Sequence, residues 1–173
     1  MSLKITMIGA GSPGFSRAVG EGLMRSDELD DSLFCMMDIN PERLSSSTEV
    51  LREEKEKRSS ALSIEQTTSR REALKDADYV VTSFEAKGDE FWLKDLRIPE
   101  RHGVSQLMGE NGGPGGQAHA LRNIALFMDI CEDMPECCPD AWLLNFTNPM
   151  SFVCTYLRRY GWEAGAFTTP TEL

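Results

Sequence analysis

Apolar positions along this chain fall into short runs separated by segments of helical spacing, and that alternation sets the expected architecture. Lys4-Ile5-Thr6-Met7-Ile8 is the first run, and Phe15, Ala18, Val19, Gly22 and Leu23 follow at helical spacing. Leu33-Phe34-Cys35-Met36-Met37 is the second run. Residues 41–58 predict a polar helix in which Leu44, Val50 and Leu51 are too sparse for deep burial, so it should lie outside the sheet. Ser63 to Thr67 is a short strand candidate, Arg71 to Asp76 a helical turn, and Tyr79-Val80-Val81-Thr82 a strand rich in β-branched and aromatic residues. Strands alternating with helices imply right-handed crossovers and a parallel sheet. The expected fold is α/β: one Rossmann-like domain over residues 1–173, a doubly wound, mostly parallel sheet with helices on both faces.

In the second half, residues 89–101 carry Phe91, Trp92, Leu93, Leu96 and Ile98 among charges and predict an amphipathic helix closing at Pro99. Residues 109–116 hold five glycines, a density that argues against helix because each costs about 1 kcal/mol in a helix interior. Behind them Ala118, Leu121, Ile124, Ala125 and Met128 repeat at three and four, predicting a buried helix over about 116–132. Ala141-Trp142-Leu143-Leu144 is a buried strand that breaks at Asn145-Phe146-Thr147-Asn148-Pro149, with a helix from Met150 to Tyr160. The end, 161–173, has little to pack.

Charge narrows the class. The formal net charge is -10, with Asp27, Glu28, Asp30 and Asp31 clustered, whereas a nucleic-acid surface needs a basic patch. No run approaches the ~20 apolar residues of a membrane span, and the first segment lacks the basic start of a signal peptide. A cytoplasmic protein with no nucleic-acid or membrane partner is the expectation. Its five cysteines are odd in number, and adjacent Cys137-Cys138 fits no zinc spacing. They read as buried or idle thiols.

The candidate chemistry begins at Gly9-Ala10-Gly11-Ser12-Pro13-Gly14, a G-x-G-x-x-G between strand and helix. In such a turn the first glycine makes the bend, the second admits a pyrophosphate to the backbone, and the third packs helix against strand. Phosphates then rest on N–H groups at the helix's positive end. Asp38 ends the second run about 20 residues on, where a ribose-binding acid is expected. A carboxylate there accepts ribose hydroxyls and repels a 2′-phosphate, favouring NAD over NADP. The competing role for Asp38 is a turn acid before Asn40-Pro41, a capping pair for the next helix. Residues 84–88 follow a strand's C-terminal end, where open α/β sheets bind ligands. The glycine-rich 109–116 is read as an anion- or substrate-facing loop, or else a flexible hairpin. Asn148 offers an amide for a sugar hydroxyl or a nicotinamide, or else simply starts the following helix.

Gly9-Ala10-Gly11-Ser12, Asp38-Ile39-Asn40-Pro41-Glu42-Arg43-Leu44, Gly113-Pro114-Gly115-Gly116 with Ala120-Leu121-Arg122, and Asn145-Phe146-Thr147-Asn148-Pro149 resemble, in order and spacing, the amino-terminal part of glycoside hydrolase family 4. The similarity runs to about Tyr160. It implies a glycosidase that uses NAD and a divalent metal, usually manganese, in place of the ordinary carboxylate pair. In that chemistry NAD takes a hydride from sugar C3, a base removes the acidified C2 proton, the aglycone leaves, and the metal polarises the C2 and C3 oxygens. Carried onto this sequence, Gly9, Gly11, Ser12, Gly14 and Asp38 would hold NAD, Asn148 would bind a small-molecule glycoside, and Glu110 would protonate the leaving oxygen. His119 reads instead as a partly exposed helix histidine.

The resemblance also implies a strand ending in Cys-His, whose cysteine is a metal ligand. Here that strand would fall near Ala164–Phe167 and is followed by Thr168-Thr169-Pro170. The expectation is therefore a truncated cofactor half without metal ligands, giving no turnover alone, and homo-oligomeric in full-length form. Two other readings stay open: a 2-hydroxy-acid dehydrogenase of the lactate/malate type, and a non-catalytic dinucleotide-binding module.

Overall fold

A computed structural model describes residues 2–108, 111–159 and the backbone of 167–168. The chain forms two compact units, Met1–Ser83 with Glu132–Leu143, and Phe84–Cys131 with Leu144–Leu173. In chain order the elements are β1 (Lys4–Ile8), α1 (Pro13–Met24), β2 (Leu33–Met37), α2 (Pro41–Arg58), β3 (Ser63–Thr67), α3 (Arg70–Leu74), β4 (Tyr79–Thr82), α4 (Asp89–Arg101), α5 (Gly113–Cys137), β5 (Trp142–Asn145), α6 (Met150–Arg159) and β6 (Phe167–Thr168). The strand order is β3-β2-β1-β4-β5-β6. This is the doubly wound Rossmann order, with its reversal between β1 and β4. Pairings β1·β2, β1·β4, β2·β3 and β5·β6 are all parallel.

The first unit is built on β1, β2 and β4, which have continuous apolar runs because a parallel sheet is covered on both faces. Met7, Phe34, Met36 and Val80 are fully buried there. At the edge, β3 alternates polar and exposed residues, as a one-sided edge strand can. Helix α2 differs from its expectation. Leu44 and Leu51 are buried, and Ser47 and Thr48 complete the face between them. Small hydroxyl residues take the place of larger apolar ones: Thr48 returns its hydroxyl to the Leu44 carbonyl at 2.8 Å, while the Ser47 hydroxyl is buried without a hydrogen-bond partner.

Helices α1 and α2 meet at Gly20, not at the third glycine of the fingerprint. A Cβ on Gly20 would lie 2.5 Å from Leu51 Cδ1, whereas one on Gly14 would meet nothing within 4 Å. Gly14 sits in the exposed first turn of α1, so the close helix–strand packing expected of it is not made there. The end of α5 is tied to α3, where Asp133 accepts from Arg70 at 2.6 Å and Arg71 at 2.5 Å. Burial works to raise the Asp133 pKa, but the two arginine hydrogen bonds and charges outweigh it and hold the carboxyl below its ordinary value.

In the second unit, α4 runs through Pro99 to Arg101. It stops where Gly103, at φ +81°, takes the left-handed conformation and the Val104 N–H bonds the Pro99 carbonyl at 3.0 Å. A proline in the last turn forfeits few helical bonds, so the glycine and not Pro99 is the terminator. Helix α5 starts at Gly113, inside the glycine-rich segment, and continues through Pro135 to Cys137. Its glycines cost little because they occupy the first turn, where N–H groups have no helical partner in any case. Its face is also rotated from the one expected. Leu121 is 71% and Met128 46% exposed, while Ala120, Asn123, Phe127, Ile130 and Met134 are buried. The expected strand near Ala164–Phe167 and the tail lie largely outside the described residues; β6 covers Phe167–Thr168.

The α1 glycines differ in a measurable way. Gly22 is exposed with nothing near its Cβ position, so Gly22→Ala should raise stability by about 0.5–1 kcal/mol through helix propensity alone. Gly20→Ala gains the same propensity but collides with a fully buried leucine, and overpacking costs about 1–3 kcal/mol. Urea unfolding midpoints should move in opposite directions for the two variants.

Candidate functional site

After β1 the chain turns at Gly9, whose φ of +94° favours glycine. The N–H groups of Gly9 and Ala10 both bond the Met37 carbonyl at 2.9 Å, fastening the turn to the end of β2. Next, the Gly11 N–H donates to Asp38 Oδ2 at 2.8 Å. A Cβ on Gly11 would stand 2.6 Å from that oxygen and 3.1 Å from the Arg43 Cβ. The second fingerprint glycine is required by the carboxylate and the helix beside it, as well as by any phosphate that approaches.

Asp38 takes the turn role weighed for it, ahead of the Asn40-Pro41 cap. Oδ1 accepts from the Asn40 N–H at 2.9 Å, a turn contact, while Asn40 caps α2 by accepting from the Glu42 and Arg43 N–H groups. A carboxylate has about four acceptor positions. Two are used by backbone donors, and the half-buried side chain keeps the remaining acceptor capacity. The neighbouring Ile39 is 85% exposed, an apolar side chain beside the acid. Ser12 occupies the cap position of α1 but makes no side-chain cap hydrogen bond, and Pro13 follows it. The first turn of α1 therefore presents N–H groups with no side-chain acceptor over them at Gly14, which is exposed. That is the arrangement a phosphate uses. Gly9, Gly11, Ser12, Gly14 and Asp38 thus converge in the first unit, with Gly11 and Asp38 in direct contact.

Asn148 belongs to the second unit. Its peptide bond to Pro149 is cis, and its carbonyl accepts from Asn123 Nδ2 at 2.6 Å. The other end of the same amide, Asn123 Oδ1, accepts from the Ala86 N–H at 2.9 Å. Asn123 is 1% exposed, so one buried amide ties the 84–88 segment to the Asn148 turn. Thr147 adds a second tie by accepting from the Phe84 N–H at 3.2 Å, and Asn145 brackets the Thr147 backbone at 2.9 and 3.2 Å. The reading of Asn148 as the start of a helix holds, since α6 begins two residues on.

Glu110 lies outside the described residues. The segment after it is held by Gln106, which donates to the Gly112 carbonyl at 2.8 Å and accepts from the Gly115 N–H at 3.1 Å. A side chain thus holds both a carbonyl and an N–H of the helix start. His119 departs from its expectation: it is buried, with Nδ1 3.5 Å from Asp95 Oδ2. Asp95 is also gripped by both terminal nitrogens of Arg122, and Arg122 lies over the Phe91 ring at 5.6 Å. A histidine in that network braces α4 against α5. The thiols are unsuited to nucleophilic work: burial pushes Cys131 up to about 12 and Cys138 to about 11.

Sequence reasoning missed Asn123, Gln106 and Arg43. Asn123 carried a signal, a lone amide at helical spacing from Ala120 and Phe127, but it was hidden by reading the wrong face of α5 as buried. Gln106 had none, because its partners six and nine residues on are backbone groups that no residue type announces, and the approach of Arg43 to Gly11 depends on a turn far off in sequence.

The family described as "Family 4 glycosyl hydrolase" matches residues 4–163. An α-glucosidase of Erwinia rhapontici is 40% identical over 92% of this chain, and an α-galactosidase of Bacillus subtilis 36% identical over 91%. The chain spans 35% and 37% of those two relatives, about a third of their length. A 6-phospho-α-glucosidase from gut microorganisms, solved with NAD and Mn2+, superposes with a TM-score of 0.86 at 25% identity, over 97% of this chain and 38% of its own. Malate dehydrogenase of Cryptosporidium parvum shares the fold more distantly, with a TM-score of 0.59 at 18% identity over 93% of this chain and 43% of its own. The α/β Rossmann-like fold expected from the strand and helix alternation is what these structures have in common, and the ordered motifs from Gly9 to Pro149 are those of one lineage within it: this chain belongs to family 4 of the glycosyl hydrolases.

Proposed function

We propose that this chain is the NAD-binding portion of a glycosidase that acts through transient oxidation of the sugar. The single observation that carries the reading is the contact of the Gly11 N–H with the Asp38 carboxylate at 2.8 Å, with the open first turn of α1 beside it. Asp38 would take the adenosine ribose hydroxyls, and Gly9 and Gly11 would let the pyrophosphate approach the turn while Ser12 and Gly14 face it from the first turn of α1. NAD, when bound, supplies a hydride acceptor and later a hydride donor. Asn148 would orient the sugar through its amide, and Glu110 would hold the proton destined for the leaving oxygen. The two compact units are read as one cofactor-binding domain.

Among the described residues no three His, Cys, Asp or Glu side chains group as a metal site. Manganese therefore enters as part of the family's chemistry, and no step here is assigned to it. No described helix is long and apolar enough to cross a membrane. A cytoplasmic protein, homo-oligomeric in its full-length form and acting on a small-molecule glycoside, fits the acidic charge and the five free thiols.

Isothermal calorimetry on the 173-residue chain tests the cofactor reading. NAD should bind at least about tenfold more tightly than NADP, since a charge-assisted hydrogen bond contributes about 1.5–3 kcal/mol and about 1.4 kcal/mol is a decade. Asp38→Ala should narrow that preference. The same variant should also lower stability without nucleotide by about 1–3 kcal/mol, because the buried Gly11 N–H loses its acceptor. Equal affinity of the unmodified chain for NAD and NADP removes the ribose assignment.

Asn123→Ala strips the Ala86 N–H and the Asn148 carbonyl of one partner each. The expected cost is about 1–3 kcal/mol, read as a lowered urea midpoint. An unchanged midpoint would show that the amide does not tie the two segments.

A further inference from the structure

Arg43 stands at the one place in the first unit where the fingerprint turn, the β2 acid and the first turn of α2 meet. Its Cβ is 3.1 Å from the position a Gly11 Cβ would occupy, and Asp38 Oδ2 is 2.6 Å from that same position. The Arg43 backbone is fixed, with its N–H bonded to the Asn40 cap at 3.0 Å. Its side chain is exposed and has no hydrogen-bond or ion-pair partner among the described residues. Arg17, Arg25, Arg58, Arg70 and Arg71 in the same unit are paired with carboxylates, whereas Arg52 on the same helix, like Arg43, is exposed with no ion pair; Arg43 differs from Arg52 in standing beside the fingerprint turn. In a chain of net charge -10, an arginine whose Cβ stands beside the fingerprint turn, with a side chain long enough to reach the region of Asp38 and no carboxylate to hold it, is a group available to an anion.

We infer that Arg43 is a specificity-determining residue that offsets Asp38 and keeps the site tolerant of a 2′-phosphate. The inference rests on the cofactor reading above and deepens it. Asp38 faces the ribose with negative charge and disfavours a dianionic phosphate there. A guanidinium with five donors in a planar fork matches phosphate oxygens, and an arginine near the acid is a recurrent way for Rossmann turns to accommodate the 2′-phosphate. With NAD, whose ribose bears a hydroxyl at that point, Arg43 has no anion to bind and contributes little. The chain therefore prefers NAD because of Asp38, yet retains NADP as a weaker ligand because of Arg43.

The test is calorimetric titration of the 173-residue chain and of Arg43→Ala with NAD and with NADP, with Arg43→Lys as the conservative variant. The side chain is exposed, and thermal unfolding of each variant without nucleotide checks that the fold is unchanged. Arg43→Ala should weaken NADP about tenfold, as loss of a charge-assisted contact does, and change NAD less than about twofold. Arg43→Lys should recover part of the NADP affinity, since it keeps the charge without the fork. Equal losses for NAD and NADP would assign Arg43 to the adenine or the pyrophosphate and overturn the inference. So would an unchanged NADP affinity, or unmodified chain that binds NAD measurably and NADP not at all. Failure of the unmodified chain to bind either nucleotide would instead defeat the cofactor reading, and this inference with it.

Discussion

The hydrogen bond from the Gly11 backbone to the Asp38 carboxylate couples the first turn of the chain to the end of the second strand, and it exists only because Gly11 has no side chain. A methyl group there would stand 2.6 Å from the carboxylate oxygen. The neighbouring contacts follow from this approach. Met37 receives the Gly9 and Ala10 N–H groups, Asp38 receives Gly11 and Asn40, and Asn40 receives the first turn of α2. Donors and acceptors are thereby satisfied in sequence from one strand end to the next helix, which is what a buried turn demands. The carboxylate that completes this chain of bonds keeps acceptor capacity to spare, so the group that organises the turn is also the one proposed above to receive a ribose.

The second unit solves a comparable problem with amides. Gln106 holds a helix start that glycines would otherwise leave loose, Asn123 joins Ala86 to Asn148, and Asn145 brackets Thr147. An amide side chain both donates and accepts, so it can satisfy two backbone groups of opposite kind without introducing charge into a buried place. The one charged cluster there, Asp95 with Arg122 and His119, is a near-neutral network in which each member has a partner. Removing one member of such a network strands the others, which is why these positions carry structure more than chemistry.

Charge balance at the fingerprint turn bears on the proposed cofactor site. Asp38 and Arg43 are five residues apart on either side of a helix cap, and in the proposed reading their opposite signs would act on the same ribose position. Selectivity between two cofactors that differ by one phosphate is then a difference between two nearby electrostatic effects, not the property of either residue alone.

Sequence by itself determined the strand and helix alternation, the glycine turn at Gly9, an acid at the end of the second strand, and the family. Each of these is local: hydrophobic runs, a glycine spacing, or a cap such as Asn40-Pro41 leaves its mark within a few residues. What tertiary structure decided is which face of a helix is inside and which polar groups meet. The α5 stripe of Leu121 and Met128 satisfied the periodicity but is exposed, while the buried stripe includes Asn123, which a hydropathy count rejects. Leu44 and Leu51 are buried in spite of a polar helix because Ser47 and Thr48 fit between them, and the close-packing glycine is Gly20 because Leu51 happens to lie opposite it. Burial and hydrogen-bond partners are properties of what stands across the gap, and no spacing along the chain records that.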